Sequence, residues 1–236
     1  MEFGGGSGRS SEVAVLIATL NEERGLGPTV REIKQVLDEP YILVVDGNSK
    51  DGTVKVAEQL GLRVIIQKGK GKGCAIGQAL DYLTADPRYL VLTDADFTYP
   101  AEYIPRMIRI LDENPEIGMV AGNRFDKRFE LAKMRGIFYA GNRFLALAQH
   151  LVNGIKMTDP LSGLRVVRWS ILENWKPKSK GFDLEAELNY LVERKGYGIE
   201  EIPIDYRERL GEKKLKLRHG LVILSRIVSE SLAVNS

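Results

Sequence analysis

The chain is predicted to be an α/β protein: a doubly wound, mostly parallel sheet with helices on both faces. Three observations predict this. Apolar runs of strand length recur without polar interruption, as in strands covered on both faces. Helical segments separate them at βαβ spacing with short connections. Several of the runs end in an acidic residue, at the sheet edge where such folds bind ligands.

In order, residues 13–18 (VAVLIA) form the first strand, and Pro28 opens a helix reaching about residue 37. Residues 41–46 (YILVVD) form a second strand that closes on Asp46 and leads through the turn GNSKDGT to a helix ending near residue 60. The third strand is 63–67, followed by the basic glycine loop KGKGKG and a helix to about residue 84. The fourth strand, 89–93, ends in Asp94-Ala95-Asp96-Phe97-Thr98-Tyr99-Pro100. A helix over 101–113 and a strand over 117–122 follow.

The character then changes. Residues 124–135 carry Arg124, Lys127, Arg128, Lys133 and Arg135, and 135–152 read as a helix apolar on most sides. Residues 157–165 (MTDPLSGLR) read as a loop, 170–174 as a short helix, 182–195 as a helix bearing Asp183, Glu185 and Glu187, and 198–204 as a strand. Residues 207–218 are strongly basic and lead into an apolar helix over 221–232. Residues 1–11 read as a leading linker, 12–206 as the main domain and 207–236 as an appended basic loop and amphipathic helix.

Composition narrows the class. With 236 residues, 44% hydrophobic and 28% charged, the chain has the balance of one globular domain. A net charge of +2 does not point to nucleic acid as a partner. A single cysteine, Cys74, excludes an intramolecular disulfide, and two distant histidines argue against zinc. No run approaches the roughly 20 apolar residues that span a bilayer. The dinucleotide fingerprint G-x-G-x-x-G should follow the first strand, and Ala18-Thr19-Leu20-Asn21-Glu22 stands there instead.

Glu22, Asp46, Lys70, Lys72, Asp94, Asp96 and Arg124 come from consecutive connections and should meet at the carboxyl edge of the sheet. Asp94 and Asp96, two apart on an extended chain, point the same way and suit one hard cation. The plain alternative makes Asp94 a turn residue and Asp96 a helix cap. A glycine-rich basic loop lets backbone N–H groups approach an anion. Together these describe a site for a nucleoside diphosphate.

The segments VLIATLNEE, VVDGNSKDGT, GKGKG, TDADFTYP, GNR, DPLSGLR and RLGEKKL resemble, in order and spacing, the family 2 inverting glycosyltransferases. Within that family the chain is most similar to the dolichyl-phosphate mannose synthase and dolichyl-phosphate glucosyltransferase group. The resemblance covers roughly residues 12–220 and implies a GT-A, Rossmann-like fold. It implies that Ala18, Leu20, Glu22, Val44, Asp46, Lys72, Asp94, Ala95, Asp96, Arg209 and Lys214 bind the donor. It places Asp96, with Asp94 and Thr98, on Mg²⁺ or Mn²⁺, and gives Asp96 and Arg124 the catalytic roles. Arg124, Arg135, Ser162 and Arg165 are expected at the acceptor phosphate.

The chain departs from the family pattern in four places. Ala18 replaces a usual proline, Leu20 a common tyrosine, Gly47-Asn48-Ser49 the commoner Asp-Gly-Ser, and Thr98 a glutamine. These changes weaken GDP-mannose as donor and leave UDP-glucose or another UDP-hexose open.

The implied reaction is hexose transfer with inversion to dolichyl (polyprenyl) phosphate for protein glycosylation, by a peripheral protein on the cytoplasmic face of the cell membrane. A phosphate acceptor is already ionised and needs no base. It needs relief from repulsion by the donor diphosphate, about 3 kcal/mol per charge pair at ~5 Å and an effective dielectric of ~20. The basic second half of the chain can supply that relief. A relative acting on a sugar hydroxyl would need a base, with Glu185 or Glu187 as candidates. A catalytically silent nucleotide- or lipid-phosphate-binding module is the third alternative.

Overall fold

A computed structural model describes residues 12–83, 86–125 and 136–232. The strands are β1 (Val13–Thr19), β2 (Tyr41–Asp46), β3 (Arg63–Ile66), β4 (Tyr89–Asp94), β5 (Ile117–Asn123), β6 (Arg165–Arg168) and β7 (Gly198–Pro203). The helices are α1 (Glu23–Val36), α2 (Thr53–Gln59), α3 (Lys72–Tyr82), α4 (Ile104–Glu113), α5 (Gly136–Asn153), α6 (Trp169–Leu172), α7 (Leu184–Arg194) and α8 (His219–Leu232).

The strands form one sheet in the order β3-β2-β1-β4-β6-β5-β7. Every pairing is parallel except those of β6, which runs antiparallel to β4 and β5. The mostly parallel, doubly wound architecture is therefore as expected.

Alternation along each strand divides the core in two. Val15 and Ile17 of β1 face α1, α2 and α4 through Leu26, Val30, Ala57 and Met107. Ala14 and Leu16 face α3, α6 and α7 through Ile76, Ala79, Ile171 and Leu188. Both faces are covered, so the strands carry uninterrupted apolar runs. A third, smaller cluster joins Leu145 of α5 and Ala186 of α7 to Ile223 and Ile227 of α8, so α5 and α8 cover the outer side of α7.

Three expectations are corrected. Helix α1 begins at Glu23 rather than at Pro28, which sits inside it. The carbonyl that loses its partner there belongs to exposed Arg24, so the missing N–H is tolerated. The stretch ending in Arg165 is not wholly loop, because Arg165 starts β6. The segment 101–113 opens with a single 3-10 turn over Ala101–Tyr103 before α4.

Candidate functional site

The carboxyl ends of β1, β2, β4, β5 and β7 lie on one edge, and the amino end of β6 joins them because β6 is reversed. This edge carries the strand-end carboxylates.

Strand β4 ends at Asp94, and the chain then turns sharply. Phe97 takes a left-handed backbone conformation (φ 67), unusual for a bulky residue and typical of functional sites. Asp94 and Asp96 lie in different surroundings. Asp94 stays partly open, at 29% side-chain exposure, while Asp96 is folded inward at 1%. Thr98 caps it, donating to Asp96 Oδ1 from Oγ1 at 2.6 Å and from its backbone N at 3.1 Å. Thr98, the residue expected beside the metal, supports the carboxylate through its buried hydroxyl.

The other Asp96 oxygen, Oδ2, is buried without an aligned hydrogen bond. Arg209 Nη2 stands 2.5 Å from it as an ion-pair partner. Glu22, at the start of α1, is held the same way: Lys214 pairs with its Oε1, Arg209 Nη1 lies 3.9 Å from that oxygen, and Oε2 has no hydrogen-bond partner among the described residues. The segment carrying these cations is fastened to β4's turn by Arg207 N donating to Thr98 O (3.0 Å) and Leu210 N to Asp96 O (3.1 Å). Arg207 itself lies over the Phe97 ring at 4.4 Å and donates to both oxygens of Glu32.

The electrostatics follow. Burial, together with the charge of Asp94, raises the Asp96 carboxyl above its usual range. Burial also raises Glu22, partly offset by Lys214. Burial opposes ionisation of Asp94 too, but Lys72 outweighs it and the carboxyl lies below its usual value. Lys72, at the first turn of α3, donates to Asp94 Oδ1 and to Glu185 Oε1, both at 2.7 Å.

On the neighbouring side, Arg124 follows β5 and is clamped by Asp159. Its Nε and Nη2 each donate at 2.7 Å, and its backbone N at 3.0 Å. Asp159 also accepts from Asn142 of α5 (3.0 Å). Its loop is held by Glu201 of β7, which accepts the backbone N–H groups of Thr158 (2.6 Å) and Asp159 (2.7 Å). Tyr206 lies over the Arg124 guanidinium at 5.3 Å and meets Tyr99 edge-on. Tyr99 Oη in turn accepts the Gly163 N–H at 2.8 Å. A Cβ built at Gly163 would lie 2.6 Å from Asp94 Oδ2, so only glycine lets this loop reach Asp94.

The structure thus brings together Glu22, Lys72, Asp94, Asp96, Arg209 and Lys214, with Arg124 and Ser162 on the adjoining loop. Asp46 belongs to the same edge, but Thr19 Oγ1 (3.0 Å), Ser49 N (2.8 Å) and Ser49 Oγ (2.5 Å) occupy its oxygens. Leu20 is exposed beside it, and Ala18 is half-buried at the end of β1.

Three expected contacts are corrected by burial. The Val44 side chain packs in the core with α1 and α2, so only its backbone can face a ligand. Ala95 is likewise in the core. Arg165 is almost fully buried, and its guanidinium donates to Ser162 O (2.8 Å), Pro160 O (2.6 Å) and Asn189 Oδ1 (2.5 Å). It frames the loop from behind and leaves nothing for a phosphate. Ser162 is buried, with Oγ unpartnered among the described residues. Arg135, with Lys127, Arg128 and Lys133, lies outside the described residues.

Sequence reasoning missed Asp159, Glu201, Asn142 and the Lys72–Glu185 pair. The acidic residue in DPLSGLR was a usable signal, since charged residues are rarely buried unpaired and Arg124 stands close to the same edge.

Among the described residues no group of three His, Cys, Asp or Glu side chains is arranged to hold a metal ion. Asp96 and Glu22 are nevertheless buried carboxylates, and Glu22 Oε2 has no hydrogen-bond partner among the described residues. One or two carboxylates are what Mg²⁺ or Mn²⁺ takes from protein when substrate phosphates and water complete its shell, so the residues present fit such an ion. No described helix is long and apolar enough to cross a membrane.

Comparison with known proteins agrees with this geometry. The profile of glycosyl transferase family 2 matches residues 14–175. The chain is 35% identical over 207 residues to a dolichyl-phosphate hexose transferase of Haloferax volcanii, covering 86% of both chains. It is 27% identical to the dolichol-phosphate mannosyltransferase of Pyrococcus furiosus over 87% of this chain and 59% of that one. Glucosyl-3-phosphoglycerate synthase from Mycobacterium tuberculosis, solved with Mn²⁺, UDP-glucose and phosphoglyceric acid, superposes with a TM-score of 0.70 at 20% identity. That alignment covers 94% of this chain and 80% of the other, and it shows a shared fold. The chain belongs to glycosyl transferase family 2.

Proposed function

We propose that the chain transfers a hexose from a nucleoside diphosphate sugar to a polyprenyl phosphate such as dolichyl phosphate, with inversion and with the help of Mg²⁺ or Mn²⁺. The donor is UDP-glucose or another UDP-hexose, with GDP-mannose the less favoured option. The similarity to the Haloferax transferase supports the lipid phosphate acceptor. The observation that carries the reading is the meeting of Arg209 and Lys214 with Asp96 and Glu22. Two cations stand where a diphosphate would need them, beside two carboxylates that suit a divalent ion.

In this reading Asp96 and Glu22 would hold the ion, which when bound neutralises the diphosphate leaving group. Arg209 and Lys214 exchange their carboxylate partners for diphosphate oxygens as the donor enters. Arg124 faces the acceptor phosphate with the guanidinium edge that Asp159 leaves free, and Tyr206 holds its plane. The sheet edge supplies Asp94 and Asp46 for the sugar and the nucleoside.

A hydroxyl acceptor is less well supported. Glu185 is tied to Lys72, and Glu187 accepts the N–H groups of Lys178 (2.8 Å) and Ser179 (2.6 Å). Each is already engaged in holding a neighbouring group in place. The exposed apolar side chains Phe144, Leu147 and Leu151 of α5 and Leu221 and Leu232 of α8 support a peripheral contact with the cytoplasmic face of the membrane.

The test is transfer of labelled hexose from UDP-glucose or GDP-mannose to dolichyl phosphate with Mn²⁺. Asp96→Ala should abolish transfer, and unchanged turnover would sink the assignment. Nucleotide binding without transfer to any acceptor would instead indicate a silent binding module.

A further inference from the structure

Lys72 joins the carboxyl edge of the sheet to the helix layer behind it. Its side chain is 14% exposed, and it lies between Asp94 of β4 and Glu185 of α7, 29% and 8% exposed respectively. The two carboxylates sit on elements 91 residues apart in the chain, each 2.7 Å from the same nitrogen.

Both ends of this bridge are rigid. Lys72 follows Gly71, whose backbone is left-handed (φ 95), and Cys74 N donates to Lys180 O at 3.2 Å. A Cβ at Gly73 would lie 2.6 Å from the Ser179 carbonyl carbon, so α3 is pressed directly against the segment that leads into α7. Glu185 is fixed because its helix is buried on nearly every side.

Paired with Asp94 alone, the ammonium could swing about one hydrogen bond. A second carboxylate on the opposite side pins it, because two of its three N–H donors then have fixed directions. Asp94 Oδ1 is thereby occupied, and Oδ2 is left beside Gly163. We propose that Glu185 is a positioning residue for donor binding: it holds Lys72, and Lys72 fixes the Asp94 carboxylate in the orientation that meets the donor. This assigns Lys72 to a place behind the site and gives Glu185 a role other than that of a base. The proposal rests on the reading that Asp94 faces a nucleoside diphosphate sugar.

The experiment is calorimetric titration of UDP and GDP, each with Mn²⁺, into the intact protein and its variants. Glu185→Gln should weaken binding of the accepted nucleotide about tenfold, the scale of one charge-assisted hydrogen bond. Lys72→Met should weaken it at least as much. The double variant should be no weaker than Lys72→Met alone, because Glu185 acts only through the lysine. Glu185→Asp, which keeps the charge, should recover binding to within about threefold of the unaltered protein. Should Glu185→Gln fail to fold, Glu185→Met with Lys72→Met carries the same cycle. Binding by Glu185→Gln within twofold of the unaltered protein, or losses that add in the double variant, would overturn the proposal. An unaltered protein that binds neither nucleotide overturns the functional reading itself.

Discussion

Asp159→Asn tests how Arg124 is held. The Asp159 side chain is fully buried and that of Arg124 is 10% exposed, so the pair sits largely outside solvent. Arginine cannot shed its proton to escape the loss of its partner. Asparagine keeps the size of aspartate but turns an NH₂ group toward one of the two guanidinium donors, replacing a charge-assisted bond with a donor–donor clash. Breaking a buried pair by removing one partner costs about 3–5 kcal/mol. The lower figure applies here, since Tyr206 and Phe125 still flank the guanidinium at 5.3 and 5.5 Å. With a urea slope of about 2–3 kcal/mol/M, 3 kcal/mol lowers the unfolding midpoint by about 1–1.5 M. Equilibrium urea unfolding followed by fluorescence reads this directly. Combined with Arg124→Met, the cycle should show a coupling of about 2 kcal/mol or more. A loss under about 1 kcal/mol, with coupling near zero, would refute the clamp as the device that orients Arg124.

Other outcomes follow from the same contacts. Gly163→Ala should cost about 1–3 kcal/mol by overpacking and should weaken nucleotide binding, because the new methyl group would stand 3.0 Å from Asp94 Cγ and 3.1 Å from Tyr99 Cε2; calorimetry and urea unfolding check both. Asp183 anchors Arg226 of α8 at 3.0 Å. Burial pushes its carboxyl up, but Ser179 and Arg226 outweigh this and hold it below its ordinary 3.8. Its contribution is therefore complete above pH 3.8 and fades as pH falls through the depressed value. Asp183→Asn should accordingly destabilise the protein at pH 7 and match it at the acid end of a stability-against-pH series. Sedimentation with vesicles should show binding to anionic but not to neutral lipid, weakening with salt, and reduced by Leu221→Asp with Leu151→Asp.

The strands buried on both faces were legible because their burial forbids polar residues, and the aspartates at their ends stood out against apolar runs. Strand β6 was not legible. It is four residues long, Arg-Val-Val-Arg, and its flanking arginines imitate a surface loop. Only the fold reveals that Arg165 is spent on Pro160, Ser162 and Asn189, and that Arg168 caps carbonyls of Ile117 (2.8 Å) and Asn114 (3.0 Å). The structure gathers the expected carboxylates at one edge, but the long-range pairs Arg124–Asp159 and Lys72–Glu185 were not foreseen. Arg124 and Asp159 are 35 residues apart, and Lys72 and Glu185 are 113 apart. Such pairings are set by packing and leave no local periodicity. The left-handed turn at Phe97, just after the two aspartates, follows no residue preference and was invisible for that reason.

The reversal of β6 has a consequence for how this site can be altered. In a wholly parallel sheet, every loop reaching the ligand edge leaves the end of a strand and must enter a helix. Here the chain between Gly154, at the end of α5, and Arg165 arrives at the edge and then enters the sheet. It is tied at both ends, by Gly154 N donating to His150 O and by four ladder positions against β4, and in its middle by the Asp159 clamp on Arg124 and the close approach of Gly163 to Asp94. Between those ties only Lys156, Thr158 and Leu161 are not buried, so exchange there leaves the Asp159 clamp and the register of β1 and β4 untouched. On the proposed reading, those are the positions that can vary with what receives the sugar while the machinery for the sugar's carrier stays in place.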